Sequence, residues 1–335
     1  MENKIYEVII IGSGPAGLTA ALYTARANLS PLVFASIKWG GQLMLTTDVE
    51  NYPGFVDGIL GPDLMNVFRK QAERFGAEIL NDDVTKVDFA SSPFKVYLGE
   101  KEYLAKSTII ATGAEAKWLN LPNEQRLIGR GVSSCAPCDA FFFKDKKVIV
   151  IGGGDSAMEE ALVLTKFASE VTVVHRRAEF KASKIMFDRA KKNEKINFIV
   201  NSDIDDVLGK DKVEGVKIKT TADLPEQADG LKYHPVVPKM KAGSVVDLPI
   251  DGMFLAIGHK PITDIFKGQI ELDEVGYIKK KPQGDGPGAF QMTTSVEGVF
   301  VAGDVHDYHY RQAVTAAGFG CMAALEAERW VEAKE

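Results

Sequence analysis

Cysteine is nearly absent from this chain. Three residues in 335 are too few to staple a secreted disulfide scaffold, and they fit a compartment that keeps thiols reduced. No apolar run approaches the ~18 residues of a membrane-spanning helix, so no membrane is expected among the partners. Strand-like sequence begins at Tyr6, which leaves no room for a signal peptide, and a cytoplasmic location is the expectation. Histidine is scarce as well. The five (His175, His234, His259, His306, His309) show no finger-like spacing, and no second CxxC exists. A structural zinc site would need such ligands, so no metal is expected. Neither sign of charge dominates: the formal net charge is −6. The short basic clusters Lys144–Lys147, Lys191-Lys192 and Lys279–Lys281 are diluted by acids and read as solvated surface, not as a nucleic-acid contact.

Two of the cysteines stand together in Cys135-Ala136-Pro137-Cys138-Asp139. Such a pair can close a reversible disulfide, ligate a metal or sit inert in a core; a redox dithiol is the reading taken. The third, Cys321, lies in a small-residue helix-like run and reads as a small buried hydrophobe.

Glycine is abundant, and two of its clusters follow strand-like runs directly. Glu7–Ile11 has the apolar character of a buried parallel strand. Gly12-Ser13-Gly14-Pro15-Ala16-Gly17 comes next, then a helix-like Leu18–Arg26. Strand, G-x-G-x-x-G, helix is the context of a dinucleotide site. Gly12 permits the tight turn, Gly14 lets a pyrophosphate approach the backbone, and Gly17 lets helix and strand pack closely. The helix N-terminus offers free N–H groups to phosphate. The following strand ends in Ala35-Ser36, not in the acid that binds a ribose 2′-hydroxyl, so NAD is not supported here.

The pattern recurs. Lys147–Ile151 is a strand, Gly152-Gly153-Gly154-Asp155-Ser156-Ala157 gives G-x-G-x-x-A, and Met158–Phe167 is helical in composition. The next strand, Glu170–Val174, ends in His175-Arg176-Arg177, with Lys181 beyond. Arginine in place of an acid points to a 2′-phosphate, hence NADPH. The chain is therefore expected to be α/β, with two Rossmann-like, three-layer dinucleotide-binding domains. Residues 59–80 read as a helix and 84–110 as short strands. Thr108–Gly113, ending in small residues, Gly252–Gly258, ending in glycine, and Val299–Val305 read as buried strands. Asp304 stands at a strand's carboxyl end, where open α/β sheets bind ligands. Residues 221–244, with Pro225, Pro235 and Pro238, read as a loop or hairpin insertion without an assigned role.

Together these pieces resemble the low-molecular-weight NADPH-dependent thioredoxin reductases of the flavin disulfide reductase superfamily, over essentially the full chain. Gly40-Gly41-Gln42, Glu50–Gly54, Ala111-Thr112-Gly113, Ala256–His259 and Arg311-Gln312-Ala313 add to the likeness. The resemblance implies FAD at the first site. Its contacts would be Gly12, Ser13, Gly14, Pro15, Ala16, Gly17, Gly41, Gln42, Leu43, Asn51, Ala111, Thr112, Gly113, Gly303, Asp304, Arg311, Gln312 and Ala313, with Val84 at the adenine end. It implies NADPH at the second, on Gly152, Gly153, Gly154, Asp155, Ser156, His175, Arg176, Arg177 and Lys181; Ile257 would be a further cofactor contact.

The resemblance further implies a discontinuous FAD-binding domain, 1–115 and 250–335, with the NADPH-binding domain, 116–249, inserted into it and carrying the CxxC. Electrons would pass from NADPH through FAD and Cys135–Cys138 to oxidised thioredoxin. The domains would rotate about crossings near Gly113-Ala114-Glu115 and Asp251-Gly252. Cys138 would face the flavin, Cys135 would attack the partner disulfide and Asp139 would be the acid–base group. Phe141-Phe142-Phe143 would be core strand or, with Arg130, a docking patch. Family members are homodimers. Ala140, usually Gly, and Lys181, usually Arg, depart from the pattern. Two rivals remain: a dithiol oxidase, which keeps FAD and CxxC without needing the arginines, and a flavin-loaded redox sensor.

Overall fold

The computed structural model describes residues 4–223, 231–237, 240–284, 286 and 288–334. It divides into two compact units, Met1–Glu115 with Lys260–Glu335, and Ala116–His259. Among the described residues the first unit holds helices α1 (Pro15–Arg26), α2 (Gly61–Arg74) and α6 (Ala313–Glu332); the second holds α3 (Ala136–Asp139), α4 (Asp155–Leu164) and α5 (Lys184–Lys191).

A seven-stranded sheet organises the first unit, in the order Glu78–Leu80, Leu32–Phe34, Ile5–Ile11, Lys101–Ile110, Phe94–Leu98, Lys86–Asp88, with Val299–Val301 also joined to Lys101–Ile110. The strands that lead toward the glycine loop are parallel; the last two form an antiparallel extension. Alternation along Ile5–Ile11 sends Val8 and Ile10 into one core with α1 and α6, and Ile9 and Ile11 into another with Phe34, Phe94 and Phe266. Helices α1 and α6 are built from small residues because they meet backbone to backbone: a Cβ on Gly320 would lie 2.1 Å from the carbonyl oxygen of Ala16. The helix expected over 59–80 stops at Arg74. Gly76, at φ 96°, turns the chain into the edge strand Glu78–Leu80, since left-handed backbone after a helix favours glycine.

The second unit has a five-stranded parallel sheet, ordered Val132–Ser133, Gly252–Leu255, Lys147–Ile151, Glu170–Val174, Ile196–Ile199. Helices α3, α4 and α5 lie in the core of one face with Val148, Val150 and Phe254. An antiparallel sheet of Ser202–Leu208, Gly215–Thr220 and Val245–Pro249 packs on the other with Ile149 and Met253. Gly252–Leu255 is thus an internal strand here, so the expected return to the first unit at 250 comes ten residues later, at Lys260. Gly252 is a packing glycine: a Cβ there would lie 2.2 Å from the Phe143 ring. The three phenylalanines form no strand. Ala140–Phe143 is a turn of 3-10 helix, with Phe143 buried against Phe254 and Phe141 and Phe142 exposed. Of 221–244, residues 224–230 and 238–239, Pro225 and Pro238 among them, lie outside the described residues, as do residues 1–3.

Candidate redox and nucleotide sites

Cys135 and Cys138 form a disulfide with Cα atoms 5.3 Å apart. The single turn α3 carries them, with Pro137 in its first turn, where a missing N–H is tolerated. Ala136 and Ala140 are buried and anchor the turn. Ala140 takes φ −55°, ψ −32°, ordinary helical values that need no glycine. Two polar side chains lock the geometry. Ala136 N donates to Glu160 Oε2 at 2.8 Å, from α4. Ser133 Oγ accepts from Cys135 N at 3.0 Å and donates to Asp139 Oδ2 at 2.5 Å. Burial pushes the Asp139 pKa above the usual carboxylate value, and the Ser133 hydrogen bond draws part of that back. A carboxyl held in this state beside a disulfide can protonate a leaving thiolate. Cys321 is half-buried, not buried, and lies beside Tyr23 on the α1/α6 surface.

In the same unit Gly152–Ala157 leaves the carboxyl end of Lys147–Ile151. Gly152 has φ 154° and a Cβ on it would lie 2.5 Å from Ala256 O, which puts the Ala256-Ile257 turn against this loop. Gly154, the N-cap of α4, has nothing within 4 Å of a Cβ position, so the helix start is open to phosphate. Asp155 and Ser156 begin α4, exposed, but the Asp155 carboxylate accepts Ser183 N at 2.6 Å. His175 is a spacer: a Cβ on Gly153 would lie 2.3 Å from its ring, and its Nε2 is 3.1 Å from Glu179 O. Burial lowers its pKa, with Arg176 and Arg177 adding to the fall against the Glu179 bond. Arg176, Arg177 and Lys181 are exposed and have no acidic partner among the described residues.

In the first unit Gly12, at φ 116°, would place a Cβ 2.2 Å from Ala111 O. Gly14 again faces open space. Pro15 opens α1 and Ala16 and Gly17 are buried in it. The Ser13 hydroxyl is used structurally: it donates to Ala35 O at 2.6 Å and accepts from Gly40 N at 2.9 Å. A Cβ on Gly41 would sit 3.3 Å from Gly14 Cα, which lays the Gly41–Leu45 turn, with Gln42 and Leu43, along the glycine loop. Gly303 brings the strand end to Ala16, 2.8 Å from a Cβ position. Asn51 Nδ2 donates to Gln312 Oε1 at 3.3 Å, and Gln312 caps α6, whose first residue is Ala313. Thr112 Oγ1 donates to Ile262 O at 2.6 Å, ahead of Gly113. Buried Asp307 accepts the N–H groups of His309, Tyr310 and Arg311 and fixes the approach to Gln312. Val84 is half-buried and, like Leu80, packs against the core cluster that includes Phe34 and Val87.

Asp304 decides whether these residues fit the flavin that the resemblance implies. Its Oδ1 is buried with no partner among the described residues. Burial, then the neighbouring Asp307, push its pKa up to about 7 against Arg311. A buried acceptor left unmet is costly, and a hydroxyl of a bound cofactor would meet it. With the open face at Gly14, the residues fit FAD. The sequence reading missed Ser133, Glu160 and Asp307; the Ser133-x-Cys135 spacing is the one local signal that could have found the first.

A family model described as pyridine nucleotide-disulphide oxidoreductase matches residues 6–320. The thioredoxin reductase of Rickettsia conorii is 51% identical over 326 residues, covering 97% of this chain and 98% of its own. A bifunctional thioredoxin reductase/thioredoxin of Mycobacterium leprae is 48% identical over 331 residues, covering 98% of this chain and 67% of its own. Among solved structures, the thioredoxin reductase from Streptococcus pyogenes aligns with a TM-score of 0.86 at 40% identity, covering 99% of this chain and 100% of that one.

Proposed function

From the premise that the chain belongs to the pyridine nucleotide-disulphide oxidoreductase family, we propose that its two glycine loops and its Cys135–Cys138 pair work as one electron path. The activity is the reduction of a thioredoxin disulfide by NADPH, through FAD and this pair. The observation that carries the reading is the Cys135–Cys138 disulfide with Ser133 and Asp139 locked around it. FAD, when bound, accepts hydride from NADPH and passes two electrons to a disulfide. Gly14 and the start of α1 would hold its pyrophosphate and Asp304 would accept from one of its hydroxyls, while Arg176, Arg177 and Lys181 would hold the NADPH 2′-phosphate. Two electrons break the Cys135–Cys138 bond. The Cys135 thiolate then attacks one sulfur of the thioredoxin disulfide and expels the other as a thiolate, which Asp139 protonates; the Cys138 thiolate next attacks Cys135 Sγ of the mixed disulfide, re-forming the Cys135–Cys138 bond and releasing the second thioredoxin thiol. Thioredoxin as partner draws support from the relative in which reductase and thioredoxin are named together.

If Asp139 supplies that proton, Asp139→Asn slows thioredoxin reduction by about a hundredfold. Ser133→Ala has a signed effect. The serine hydroxyl favours the carboxylate, so removing it raises the Asp139 pKa further. The step that needs protonated Asp139 then persists to higher pH, and the alkaline limb of the kcat/KM profile for thioredoxin moves up. A limb that stays put or moves down contradicts the assignment.

The units are proposed to be an FAD-binding unit, Met1–Glu115 with Lys260–Glu335, and an NADPH-binding unit, Ala116–His259. They are further proposed to rotate against each other. Gly113 (φ 73°) and Gly258 (φ 100°) flank the two crossings with space around them, and a few such residues can absorb a hinge motion. Crosslinking the units should stop turnover with FAD still bound; full activity in the locked form refutes the rotation.

A homodimer is proposed through α1 and α6, which carry the exposed apolar side chains Tyr23, Val314, Met322 and Leu325, since exposed apolar side chains gathered on one pair of packed helices suit an interaction surface. Leu325→Glu should shift sedimentation from dimer to monomer, and a parent chain that sediments as a monomer removes the proposal. The few cysteines support a cytoplasmic setting; no helix among the described residues is long and apolar enough to cross a membrane.

A further inference from the structure

The turn that follows the arginine pair is bound back onto the second glycine loop at three points. Lys181 N and Ala182 N both donate to Gly153 O, at 2.7 and 3.0 Å. Ser183 N donates to Asp155 Oδ1 at 2.6 Å. Ser183 Oγ then accepts Met186 N at 3.4 Å and caps α5. Below the turn, Phe180 packs at a tilt against His175 at 5.0 Å and Phe187 at 4.8 Å, and edge-on against Phe198 at 5.6 Å. The segment is exposed, yet it is tied to the residues that would meet a pyrophosphate.

Asp155 is an unexpected residue for that place. It is the first residue of α4, where a carboxylate competes with a phosphate for the helix N–H groups. Its side chain instead reaches across to Ser183 N. We propose that Asp155 is a positioning residue for the 2′-phosphate subsite: it holds the 178–183 turn, and with it Lys181, against the glycine loop, and so raises selectivity for a 2′-phosphorylated adenine nucleotide. This rests on Arg176 and Arg177 forming the phosphate site. Lys181 is a flexible point charge, not a planar fork, so it gains most from a backbone held in place.

The test uses the FAD-loaded enzyme and two probes, adenosine 2′,5′-bisphosphate and 5′-AMP, titrated calorimetrically. In Asp155→Ala the bisphosphate is expected to bind about fivefold to tenfold more weakly, with 5′-AMP changed by less than about twofold, because ordering of the turn is lost. Asp155→Asn keeps an oxygen acceptor for Ser183 N and should restore the bisphosphate preference. Ser183→Pro deletes the donor from the other side; Ser183 already has φ −57°, the value proline imposes. It should give the same selective loss, even if Asp155→Ala folds poorly. Equal weakening of both probes, or of neither, overturns the proposal. Arg176→Ala separates the two readings: if it leaves bisphosphate binding untouched, the phosphate-site assignment itself fails, whatever Asp155 does.

Discussion

Replacing Cys138 with serine is expected to abolish thioredoxin-dependent NADPH oxidation, by at least about a thousandfold, as loss of a reacting group does. A disulfide stores two electrons by breaking one S–S bond; a single thiol beside a hydroxyl cannot. Serine is close to isosteric, and the contacts that shape α3, Ala136 N to Glu160 and Ser133 to Asp139 and Cys135, do not involve the Cys138 sulfur. The fold and both nucleotide sites should therefore survive. The purified variant should stay yellow and still let NADPH reduce its flavin, while oxidised thioredoxin no longer speeds NADPH consumption. Cys135→Ser should give the same steady-state result. Retention of more than a few per cent of parental turnover in either variant contradicts the role of the pair.

The second large effect concerns the pyridine nucleotide. Arg176 and Arg177 are exposed at the end of the Glu170–Val174 strand, with no acid paired to either among the described residues. A charge-assisted hydrogen bond contributes roughly 1.5–3 kcal/mol, so Arg176→Ala should cost about ten- to a hundredfold in the NADPH to NADH ratio of kcat/KM. NADH lacks the phosphate, and its own kcat/KM should hardly move. Lys181 provides charge without a fork, and Lys181→Arg should sharpen the preference. An Arg176→Ala enzyme with the parental ratio sinks the assignment.

The two glycine loops were legible because their information is local. Strand, turn glycines and helix stand in one short stretch, and a Cβ on Gly12 or Gly152 has no room in the folded chain. Asp304 was legible from its place at a buried strand's end, though not its unmet oxygen, which depends on what folds over it. The return between units was misplaced by ten residues for a definite reason. Gly252–Leu255 is apolar on both faces, and such a run suits any buried parallel strand; only its pairing with Lys147–Ile151 assigns it. Of the two readings of the phenylalanine triplet, core strand or docking patch, the first fails because the chain turns there and buries only Phe143, leaving Phe141 and Phe142 exposed. Glu160 could not be singled out by type, since the fold brings Ala136 N to it from 24 residues away; Ser133 and Asp307 bind N–H groups two to four residues along, a local pattern that many serines and aspartates share.

The most direct measurement is NADPH oxidation by the purified, FAD-loaded protein with and without oxidised thioredoxin, repeated with NADH. The predicted result is strong dependence on thioredoxin, with NADH much the poorer donor. Oxygen consumption that proceeds equally without thioredoxin would contradict it in favour of a dithiol oxidase, and an absence of turnover with the flavin still bound would contradict it in favour of a redox sensor.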